Sequence, residues 1–530
     1  MKHLYFLFSI AFSAIIYAQA PSIAWQKTIG SELPESSTYS KITADGGLIL
    51  VCRAYTGVSG EKTVVGYGNT DIWIIKTDNL GVIEWQKAIG GDSFDYPTAI
   101  LQNPDESYVI GGNSDSNISG DKSENCFGLS DFWVLKLDNA GNIIWQHTIG
   151  GAGEDTLKSL IATADGGYLL GGVSNSSVSG NKTESYRGLT VNKDYWVVKT
   201  DSLGNIEWDK TIGGFDNDYL TALAMTSDNN YLVGGYSYSS NTGDKTETNR
   251  GEFDDYWIVK LDTSGTKAWD KTIGGNSGED LHAITATDDG GTIIGGHSGS
   301  PISGEKTVAP VGFPDIWILK LDMNGNIEWQ KSIGNNGTYN LLTTVFFKPN
   351  DGYLIGAFSD GNISFDKTEN SRGDYDVWLI KLDLLGNIVW DKTIGGDMKD
   401  VVLSIDYDQT TQSYILGCSS ESGVSGDKTD FCRGLNDYWL VKLEPENLAT
   451  NQSSQVQTKV FPNPTTEAWW FETKELIKSI EIADISGKIV FAETYAANSC
   501  SVNATQLTAG LYLATLKTDR GSGVVKLIKK

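Results

Sequence analysis

The stretch DYWVVKTDSLGNIEWDKTIGG, residues 194–214, contains the pattern that decides the fold. Two short runs rich in aromatic and β-branched residues, 195–200 and 206–212, flank a turn at 201–205. Such runs are typical of β-strands, and the glycine of the turn allows the positive φ angle that a tight hairpin needs. Residues 196–198 are apolar at successive positions, which indicates a strand covered on both faces. The stretch therefore predicts a buried β-hairpin.

The same pattern recurs along the chain. The phrase Trp-(Gln/Asp)-(Lys/His)-(Thr/Ala/Ser)-Ile-Gly begins at seven tryptophans, 60 to 63 residues apart: Trp25, Trp85, Trp145, Trp208, Trp269, Trp329 and Trp390. The phrase Asp-X-Trp-X-X-Lys contains seven others: Trp73, Trp133, Trp196, Trp257, Trp317, Trp378 and Trp439. The two phrases use 14 of the 16 tryptophans, so a repeat organises the chain. These tryptophans are expected to pack between the repeats.

Each copy contains four predicted strands, a to d. In the third copy they lie near 157–162, 168–172, 195–200 and 206–212, and a long polar loop separates b from c. Seven four-stranded sheets without a helix predict an all-β fold, a seven-bladed β-propeller.

The two ends of the repeat array predict how the ring closes. The chain starts with an isolated strand d at 23–29, and the seventh copy stops after strand c at Glu444. The N-terminal strand is therefore expected to complete the last blade, a three-plus-one closure that removes exposed sheet edges. A solenoid is the alternative, but its terminal copies should be atypical caps rather than complementary fragments.

The order of features within a copy resembles that of kelch-type propellers. Gly171 and Gly172 end strand b, an aromatic strand c follows, and Trp208 lies on strand d. The resemblance covers roughly residues 21–444, although a repeat near 60 residues is longer than a typical kelch unit. Kelch proteins have varied functions, so the resemblance implies a fold and no activity.

Composition and charge exclude several classes of protein. The chain has 530 residues, of which 39% are apolar and 20% charged, which is typical of a folded protein. The formal net charge of −26 disfavours nucleic acid and anionic lipid as partners. Five cysteines do not form a disulfide scaffold, and four histidines offer little imidazole chemistry.

The N-terminus has the pattern of an export signal, assigned to residues 1–20. Lys2 provides the positive charge, residues 4–16 the apolar stretch, and Ala18-Gln19-Ala20 the cleavage site. A membrane anchor is the alternative, but the apolar stretch is shorter than the ~18 residues that span a bilayer. No second long apolar run follows, so no transmembrane segment is expected and the mature chain is predicted to leave the cytoplasm.

Residues 458–530 differ from the repeats, since short alternating runs separated by turns predict a small immunoglobulin-like β-sandwich there. Four motifs in order resemble the C-terminal sorting domain of type IX secretion: 460–464, 484–490, 507–512 and 526–530. Its signal residues are Pro462, Asn463, Pro464, Gly487, Lys488, Gly510, Lys529 and Lys530. The resemblance implies the type IX machinery as partner and export across the outer membrane. An immunoglobulin-like binding module is the alternative. The resulting division is a propeller at 21–444, a linker at 445–457 and a sorting domain at 458–530.

The b–c loops repeat Ser-Gly-(Asp/Glu/Asn)-Lys-Thr with variations. Each loop contributes one lysine: Lys62, Lys122, Lys182, Lys245, Lys306, Lys367 and Lys428. Phosphate-loop spacing is absent. We expect a multivalent polar rim that holds extended or repetitive ligands, or alternatively a self-bonded loop inherited from copy to copy.

Acidic residues recur at two other positions. One set precedes strand c and is expected to accept turn hydrogen bonds: Asp71, Asp131, Asp194, Asp255, Asp315, Asp376 and Asp437. The second set precedes strand a: Asp95, Asp155, Asp218, Asp280, Asn340 and Asp400. If strand a lines the axis, the second set forms a carboxylate ring that could hold Ca²⁺; backbone capping is the alternative. Asp115 and Asn117 echo the start of a calcium loop, although other copies lack these acids.

Two further pairs are candidates for special chemistry. His282 and His297 are predicted to lie opposite each other on strands a and b of one blade, as a metal pair or as an aromatic contact. Cys52 and Cys418 hold equivalent positions in blades one and seven, where a disulfide could lock the ring.

The preferred function is non-enzymatic binding or adhesion by an exported, monomeric propeller, with an extracellular glycan or protein as ligand and no required cofactor. No Ser-His-Asp spacing and no arginine cluster are evident, and seven near-equal blades argue against one catalytic loop. A carbohydrate-active propeller enzyme, a hydrolase or lyase, is the alternative.

Overall fold

The computed structural model describes residues 19–188, 192–446, 458–484, 488–518 and 521–530. The chain forms two compact units, of which one covers Gln19–Glu446 and the other contains the described residues from 458 onwards. The predicted signal peptide and most of the predicted linker lie outside the described residues.

The first unit consists of seven four-stranded antiparallel sheets. Blade one contains β2 (Ser36–Ile42), β3 (Leu48–Tyr55), β4 (Thr70–Thr77) and β5 (Ile83–Ile89). Blade two contains β6 (Asp95–Gln102), β7 (Tyr108–Ser114), β8 (Asp131–Leu137) and β9 (Ile143–Ile149). Blade three contains β10 (Asp155–Ala162), β11 (Tyr168–Ser174), β12 (Asp194–Thr200) and β13 (Ile206–Ile212). Blade four contains β14 (Asp218–Met225), β15 (Tyr231–Ser237), β16 (Asp255–Leu261) and β17 (Lys267–Ile273).

The remaining blades repeat this arrangement. Blade five contains β18 (Glu279–Ala286), β19 (Thr292–Ser298), β20 (Asp315–Leu321) and β21 (Ile327–Ile333). Blade six contains β22 (Asn340–Lys348), β23 (Gly352–Ser359), β24 (Asp376–Leu382) and β25 (Ile388–Ile394). Blade seven contains β26 (Asp400–Asp408), β27 (Ser413–Ser420), β28 (Asp437–Leu443) and, as its fourth strand, the N-terminal β1 (Ile23–Ile29).

The three-plus-one closure is confirmed by the pairing of β1 with β28, in which Thr28 lies opposite Trp439. The first strands of neighbouring blades contact one another, including β2 of blade one and β26 of blade seven. These strands therefore lie innermost and surround the axis. The seven sheets form a closed propeller; a specific relation to kelch repeats stays a prediction.

The tryptophans of the third strands pack between blades, as predicted. All seven are fully buried, and Trp317 is one example that stacks on Tyr256 of the preceding blade, 5.3 Å between ring centroids. Each indole N–H donates to the Gln or Asp that follows the fourth-strand tryptophan, as Trp196 does to Asp209 at 3.0 Å. This bond explains why the repeat keeps only Gln or Asp at that position.

Every innermost strand carries a register irregularity near its middle. In β10 Leu157 pairs with Gly172 and Ser159 with Gly171, which leaves Lys158 without a cross-strand partner. A bulge of this kind re-aims one side chain and shifts all pairing on one side of it.

The second unit is one antiparallel sheet of five strands: β29 (Lys459–Phe461), β30 (Ala468–Asp484), β31 (Ile489–Asn503), β32 (Gly510–Thr518) and β33 (Gly521–Lys529). Its core gathers Trp469, Phe471, Ile480 and Leu516, all fully buried. Trp469 thus has a structural role, while its neighbour Trp470 is exposed. An immunoglobulin-like arrangement of these strands stays a prediction.

Candidate functional site

The loops between second and third strands lie on the same face of the propeller as the connections between blades, because hydrogen bonds join them. In blade two, for example, the amide of Asp121 donates to the carbonyl of Gly90 at 2.9 Å. We call this side the long-loop face. Its loops are 56–69, 115–130, 175–193, 238–254, 299–314, 360–375 and 421–436, and its connections are 30–35, 90–94, 150–154, 213–217, 274–278, 334–339 and 395–399.

The seven loop lysines do not form an exposed rim. Each is at most 2% exposed. In blades two to seven the ammonium lies over the third-strand tryptophan of its own blade, and in blade one Lys62 donates to the carbonyls of Tyr55 and Gly57. Lys122 lies 5.2 Å from the ring centre of Trp133 and donates to Thr148 at 2.5 Å. This placement corrects the expectation of a ligand-binding rim: the lysines are internal cations that fix the loops.

The acids before the innermost strands are also buried, and they cap backbone groups. Asp95, Asp155, Asp218, Asn340 and Asp400 are all 0% exposed. A carboxylate oxygen of Asp95 accepts the amide of Gly91 at 2.7 Å and the hydroxyl of Ser116 at 2.9 Å. The capping alternative therefore describes them, and an open carboxylate ring at the channel mouth was wrong.

In blade five the equivalent residue is Glu279, not Asp280. Glu279 starts β18, is fully buried and accepts the amide of Gly275 at 2.7 Å, as Asp95 does from Gly91. Glu35 completes the set in blade one, where it accepts the amide of Ser31 at 3.1 Å. Counting four residues from the second glycine of Ile-Gly-Gly would have identified Glu279.

Asp280 instead belongs to an asymmetric cluster between blades four and five. It pairs across the sheet with His297, whose Nε2 lies 2.8 Å from Oδ2 of Asp280. His282 occupies the bulge, so the histidines are not directly opposite, yet their rings stack 4.8 Å apart. The aromatic contact is thus observed, while a bound metal stays a prediction.

The cluster holds two carboxyl groups with opposite pKa shifts. Burial and the neighbouring Asp280 raise the pKa of Asp254 to about 8. Hydrogen bonds from His297 and Asp254 outweigh desolvation and lower the pKa of Asp280 to about 2. Tyr236 and Tyr238 flank the pair, with ring centroids 6.4 Å apart. Of the two carboxyl groups, Asp254 therefore holds a proton more tightly than Asp280.

Two of the weaker site predictions gain no support from the geometry. Asp115 donates its amide to Phe94, and the carbonyl of the exposed Asn117 accepts the hydroxyl of Ser119. Among the described residues, no group of three or more His, Cys, Asp or Glu side chains is arranged to hold a metal ion. Cys52 and Cys418 are both free, buried thiols.

The long-loop face also exposes apolar side chains. The residue before the recurring loop serine is an exposed Val or Ile in six blades: Val58, Ile118, Val178, Ile302, Ile363 and Val424. Exposed aromatic residues occur in several blades of this face, and those of blades five and six are Phe313, Tyr339 and Phe365. These positions were not predicted from the sequence, where the polar residues of the loops were singled out.

Phe365 departs most from the repeat. The other six blades have glycine at this position, with φ between 54° and 59°, and Phe365 adopts φ 49°. That region strains a residue with a side chain. A Cβ atom on the equivalent Gly180 would lie 2.4 Å from the carbonyl of Gly150. Accordingly, the loop-to-connection bond after Phe365, from Asp366 to Gly334, is 3.3 Å, against 2.8–2.9 Å in the other blades.

Aromatic side chains continue from this loop toward the axis. The Tyr375 ring lies 5.9 Å from that of Tyr339 and 5.0 Å from that of Phe358, and the ammonium of Lys399 lies 5.6 Å from its centre. The loop that carries Phe365 is bonded to the connection that carries Tyr339, since Ser364 accepts the amide of Asn336 at 3.0 Å. We call Phe313, Tyr339, Phe358, Phe365 and Tyr375 the aromatic sector.

The signal residues of the C-terminal unit converge on its last strand. Asn463 donates to the carbonyl of Lys526 at 2.7 Å and accepts the amide of Ile528 at 2.8 Å, so the Pro462–Pro464 segment is tied to β33. Lys530 donates its amide to Thr465 at 2.8 Å, which anchors the end of the chain next to Lys529. The backbone amide of Lys488 donates to Oδ1 of Asp484 at 3.2 Å, and Gly510 begins β32. Gly487 lies outside the described residues.

Several solved structures are similar to this chain at low identity. PorZ, an essential bacterial surface component of the type IX secretion system of Porphyromonas gingivalis, is 11% identical with a TM-score of 0.39, over 97% of this chain and 61% of that one. The Neurospora crassa Pan2 WD40 domain is 13% identical with a TM-score of 0.41, over 78% and 90%. An ulvan lyase of a polysaccharide lyase family is 11% identical with a TM-score of 0.43, over 79% and 97%.

A curated relative covers a smaller part of the chain. The regulatory protein FlaEY of Caulobacter vibrioides is 24% identical over 190 residues, which is 35% of this chain. The match spans a fifth of that protein, 20% of its length.

The C-terminal unit is matched by a family model. Residues 459–530 fit the secretion system C-terminal sorting domain. In the described part of the chain, no helix is long and apolar enough to span a bilayer. The sorting domain implies the type IX secretion machinery as a partner, so a chain with this domain at its C-terminus is a secreted or cell-surface protein.

Proposed function

We propose that the exported propeller is a non-enzymatic binding protein that holds an extracellular glycan on the aromatic sector of its long-loop face. The strained, exposed Phe365 carries this proposal. Six blades show that glycine satisfies the loop, yet blade six has a phenylalanine that is 75% exposed. A bulky side chain that strains its backbone and packs little against the protein suggests a contact outside the chain.

The neighbourhood of Phe365 suits a sugar chain. Aromatic rings offer flat apolar faces to the C–H faces of sugars, and polar groups beside them orient the hydroxyls. Tyr339 is 49% exposed, and its backbone amide donates to Oδ1 of Asp360 at 2.9 Å. The ammonium of Lys399 lies over the ring of Tyr375. Several such rings at one blade favour an extended ligand over a single small molecule.

The experiment is a glycan array probed with the full chain and with Phe365→Gly, which restores the residue of the other six blades. The proposal expects binding by the full chain and at least a tenfold loss in Phe365→Gly. Phe431→Ala removes an exposed aromatic residue of blade seven and should retain binding. No binding by the full chain, or equal binding by Phe365→Gly, would reject the glycan proposal. Binding of a protein ligand that is lost in Phe365→Gly would replace the glycan by a protein.

A second candidate, a carbohydrate-active enzyme, is favoured by the cluster of Asp254, Asp280 and His297. A protonated acid beside an ionised one is the arrangement that general acid–base catalysis requires. Polysaccharide degradation that Asp254→Asn and Asp280→Asn both abolish, at unchanged thermal stability, would select this candidate. Undiminished degradation in both variants would exclude the cluster as the catalytic site.

A further inference from the structure

A belt of buried charges runs through the propeller beneath the long-loop face. Each blade contributes an acid at the start of its third strand and a lysine from its long loop, and six blades contribute an acid before or at the start of the first strand. The belt comprises the acids Asp71, Asp131, Asp194, Asp255, Asp315, Asp376, Asp437, Glu35, Asp95, Asp155, Asp218, Glu279 and Asp400, the seven loop lysines, and Asn340. All of its members are at most 2% exposed.

At most blade junctions a backbone hydrogen bond brings the third-strand acid of one blade close to the first-strand acid of the next. The residue before the third-strand acid accepts the amide of the next blade's first-strand acid, as Lys193 does from Asp218 at 2.7 Å. The same bond joins Ser130 to Asp155, Asp254 to Glu279, Tyr375 to Asp400 and Asn436 to Glu35, at 2.8–2.9 Å. The six acid junctions are Asp71–Asp95, Asp131–Asp155, Asp194–Asp218, Asp255–Glu279, Asp376–Asp400 and Asp437–Glu35.

The paired acids retain unused oxygens. At the junction of blades three and four, Oδ2 of Asp194 accepts the amide of Arg187, and Oδ2 of Asp218 accepts the amide of Gly214 at 2.7 Å. Oδ1 of each is buried and has no donor. Both acids also have such an oxygen at three further junctions: Asp71–Asp95, Asp131–Asp155 and Asp376–Asp400. A buried carboxylate oxygen without a donor is costly, so something must satisfy it.

The seventh junction has a neutral residue in the second position. There Asp315 faces Asn340, a neutral residue of the same shape as a protonated aspartic acid. Both oxygens of Asp315 accept backbone amides, from Val311 at 2.8 Å and from Gly312, and neither is left over. A neutral second member thus accompanies one of the two junctions whose third-strand acid is fully hydrogen-bonded. The other is Asp437–Glu35, where Arg433 and Gly434 donate to both oxygens of Asp437.

The charges of the belt point to protons as the missing partners. Thirteen acids and seven lysines would carry six negative charges if all were ionised, and the belt has six acid–acid junctions. One proton at each junction leaves the belt with no net charge. A divalent cation at each would instead leave a large positive charge beside buried lysines, which is unfavourable. We infer that each of the six junctions binds one proton, shared between its two carboxyl groups.

The surroundings of the Asp194–Asp218 junction agree with this assignment. The titratable and charged groups that face it are Lys182, Arg187, Tyr195, Tyr236 and Lys245. Arg187 is balanced by Glu184 at 2.8 Å and Asp244 at 2.9 Å, so its charge is not available to the pair. Burial raises the pKa of Asp194 to about 7 and that of Asp218 to about 6, the latter although Gly214 and Ser239 donate to its Oδ2.

The test counts the protons released when the full chain unfolds at pH 5.5, by calorimetry in two buffers of different ionisation enthalpy. Asp218→Asn copies the Asp315–Asn340 junction and should release about one proton fewer than the parent. Asn340→Asp creates a seventh acid junction and should release about one proton more. Asp95→Asn makes the same change at the Asp71–Asp95 junction and should also release about one proton fewer. It replaces Asp218→Asn as the test if that variant fails to fold.

Equal proton release by the parent and the variants would overturn the inference. It would also be overturned if the parent, stripped of metal, bound Ca²⁺ at several sites per chain and Asp218→Asn removed one of them. Neither result depends on whether the propeller binds a glycan, because Phe365 and the other residues of the aromatic sector do not belong to the belt.

Discussion

Trp439 donates its indole hydrogen to the side-chain oxygen of Gln26 at 2.9 Å, across 413 residues of sequence. In blades one to six the same bond joins residues only 13 apart, as between Trp133 and Gln146 at 3.1 Å. Gln26 also donates to the carbonyl of Asp427 at 2.6 Å. The bond that each blade forms locally is thus formed in blade seven by the opposite end of the repeat array, and it closes the ring.

Replacing Gln26 by alanine should weaken the closure specifically. The loss of its bonds to Trp439, Thr429 and Asp427 should cost about 2 kcal/mol of unfolding free energy. Gln146→Ala removes the equivalent three bonds in blade two and should cost a similar amount. Amide exchange should nevertheless accelerate in β1 and β28 only in Gln26→Ala. Identical exchange patterns in the two variants would argue against a special role of the closing strand.

Replacing Phe365 by glycine should stabilise the propeller by about 1 kcal/mol, because the relief of backbone strain exceeds the added entropy of the unfolded chain. The bond from Asp366 to Gly334 should shorten and its amide exchange slow. The converse change, Gly180→Phe, should destabilise, since its Cβ would meet the carbonyl of Gly150. Thermal melts of both variants check this. A destabilised Phe365→Gly would mean that the phenylalanine stabilises the loop.

Stability should fall as the pH rises from about 4 to 7. The pKa of Asp194 is raised to about 7 and that of Asp131 to about 6, so the folded chain binds more protons than the unfolded chain between pH 4 and 7. Each such proton costs about 1.4 kcal/mol of stability per pH unit in that window. Calorimetric melting midpoints should be highest near pH 4. A midpoint that rises steadily toward pH 8 would contradict this prediction.

The propeller should also lose stability in strong acid, because of acids such as Asp165 and Asp408 at the turns between first and second strands. Hydrogen bonds from lysines and threonines lower the pKa of Asp165 and Asp408 to about 2 despite some desolvation. Their contribution is present above the unfolded pKa near 4 and is lost as the pH falls through about 2. The two sets of acids together therefore place the maximum of stability near pH 4.

The lysine of each third strand should contribute most to the free energy of unfolding where its ammonium makes several hydrogen bonds. Lys199 is 1% exposed and donates to Asp165, Glu207 and the carbonyl of Thr200, all within 2.9 Å. Lys199→Met should cost about 1–2 kcal/mol, because a buried carbonyl loses its donor. Lys136, in blade two, has one contact, to Asp105 at 3.4 Å, and Lys136→Met should be nearly neutral. Equal losses in urea melts would show that these bonds do not contribute.

The repeat made the fold predictable, and its exceptions made the site hard to predict. Seven regularly spaced Trp phrases and a lone first strand were sufficient for the blade number and the closure. The burial of Lys122 could not be predicted from the sequence, because the loop that covers its aliphatic chain consists mainly of polar residues. Glu279 was missed because its neighbour Asp280 has the expected side chain, although the bonded position is set by distance from Gly275.

The exposed aromatic sector was missed for a different reason. Phe365 replaces a glycine, and only the repeated positive φ angle of the other blades shows that the replacement is strained. The acids and lysines of the belt were likewise recognised in the sequence, but only as separate sets of recurring residues. Their pairing depends on backbone bonds between successive blades, which local sequence patterns do not reveal.

The closure itself can be measured by removing the first strand and returning it as a peptide. A chain that begins at residue 30 should melt at a markedly lower temperature than the chain that begins at residue 19. A synthetic peptide of residues 19–29 should restore the melting temperature in a saturable manner, and the same peptide with Trp25 and Gln26 replaced by alanine should not. Unchanged melting without the first strand would contradict a ring sealed by that strand.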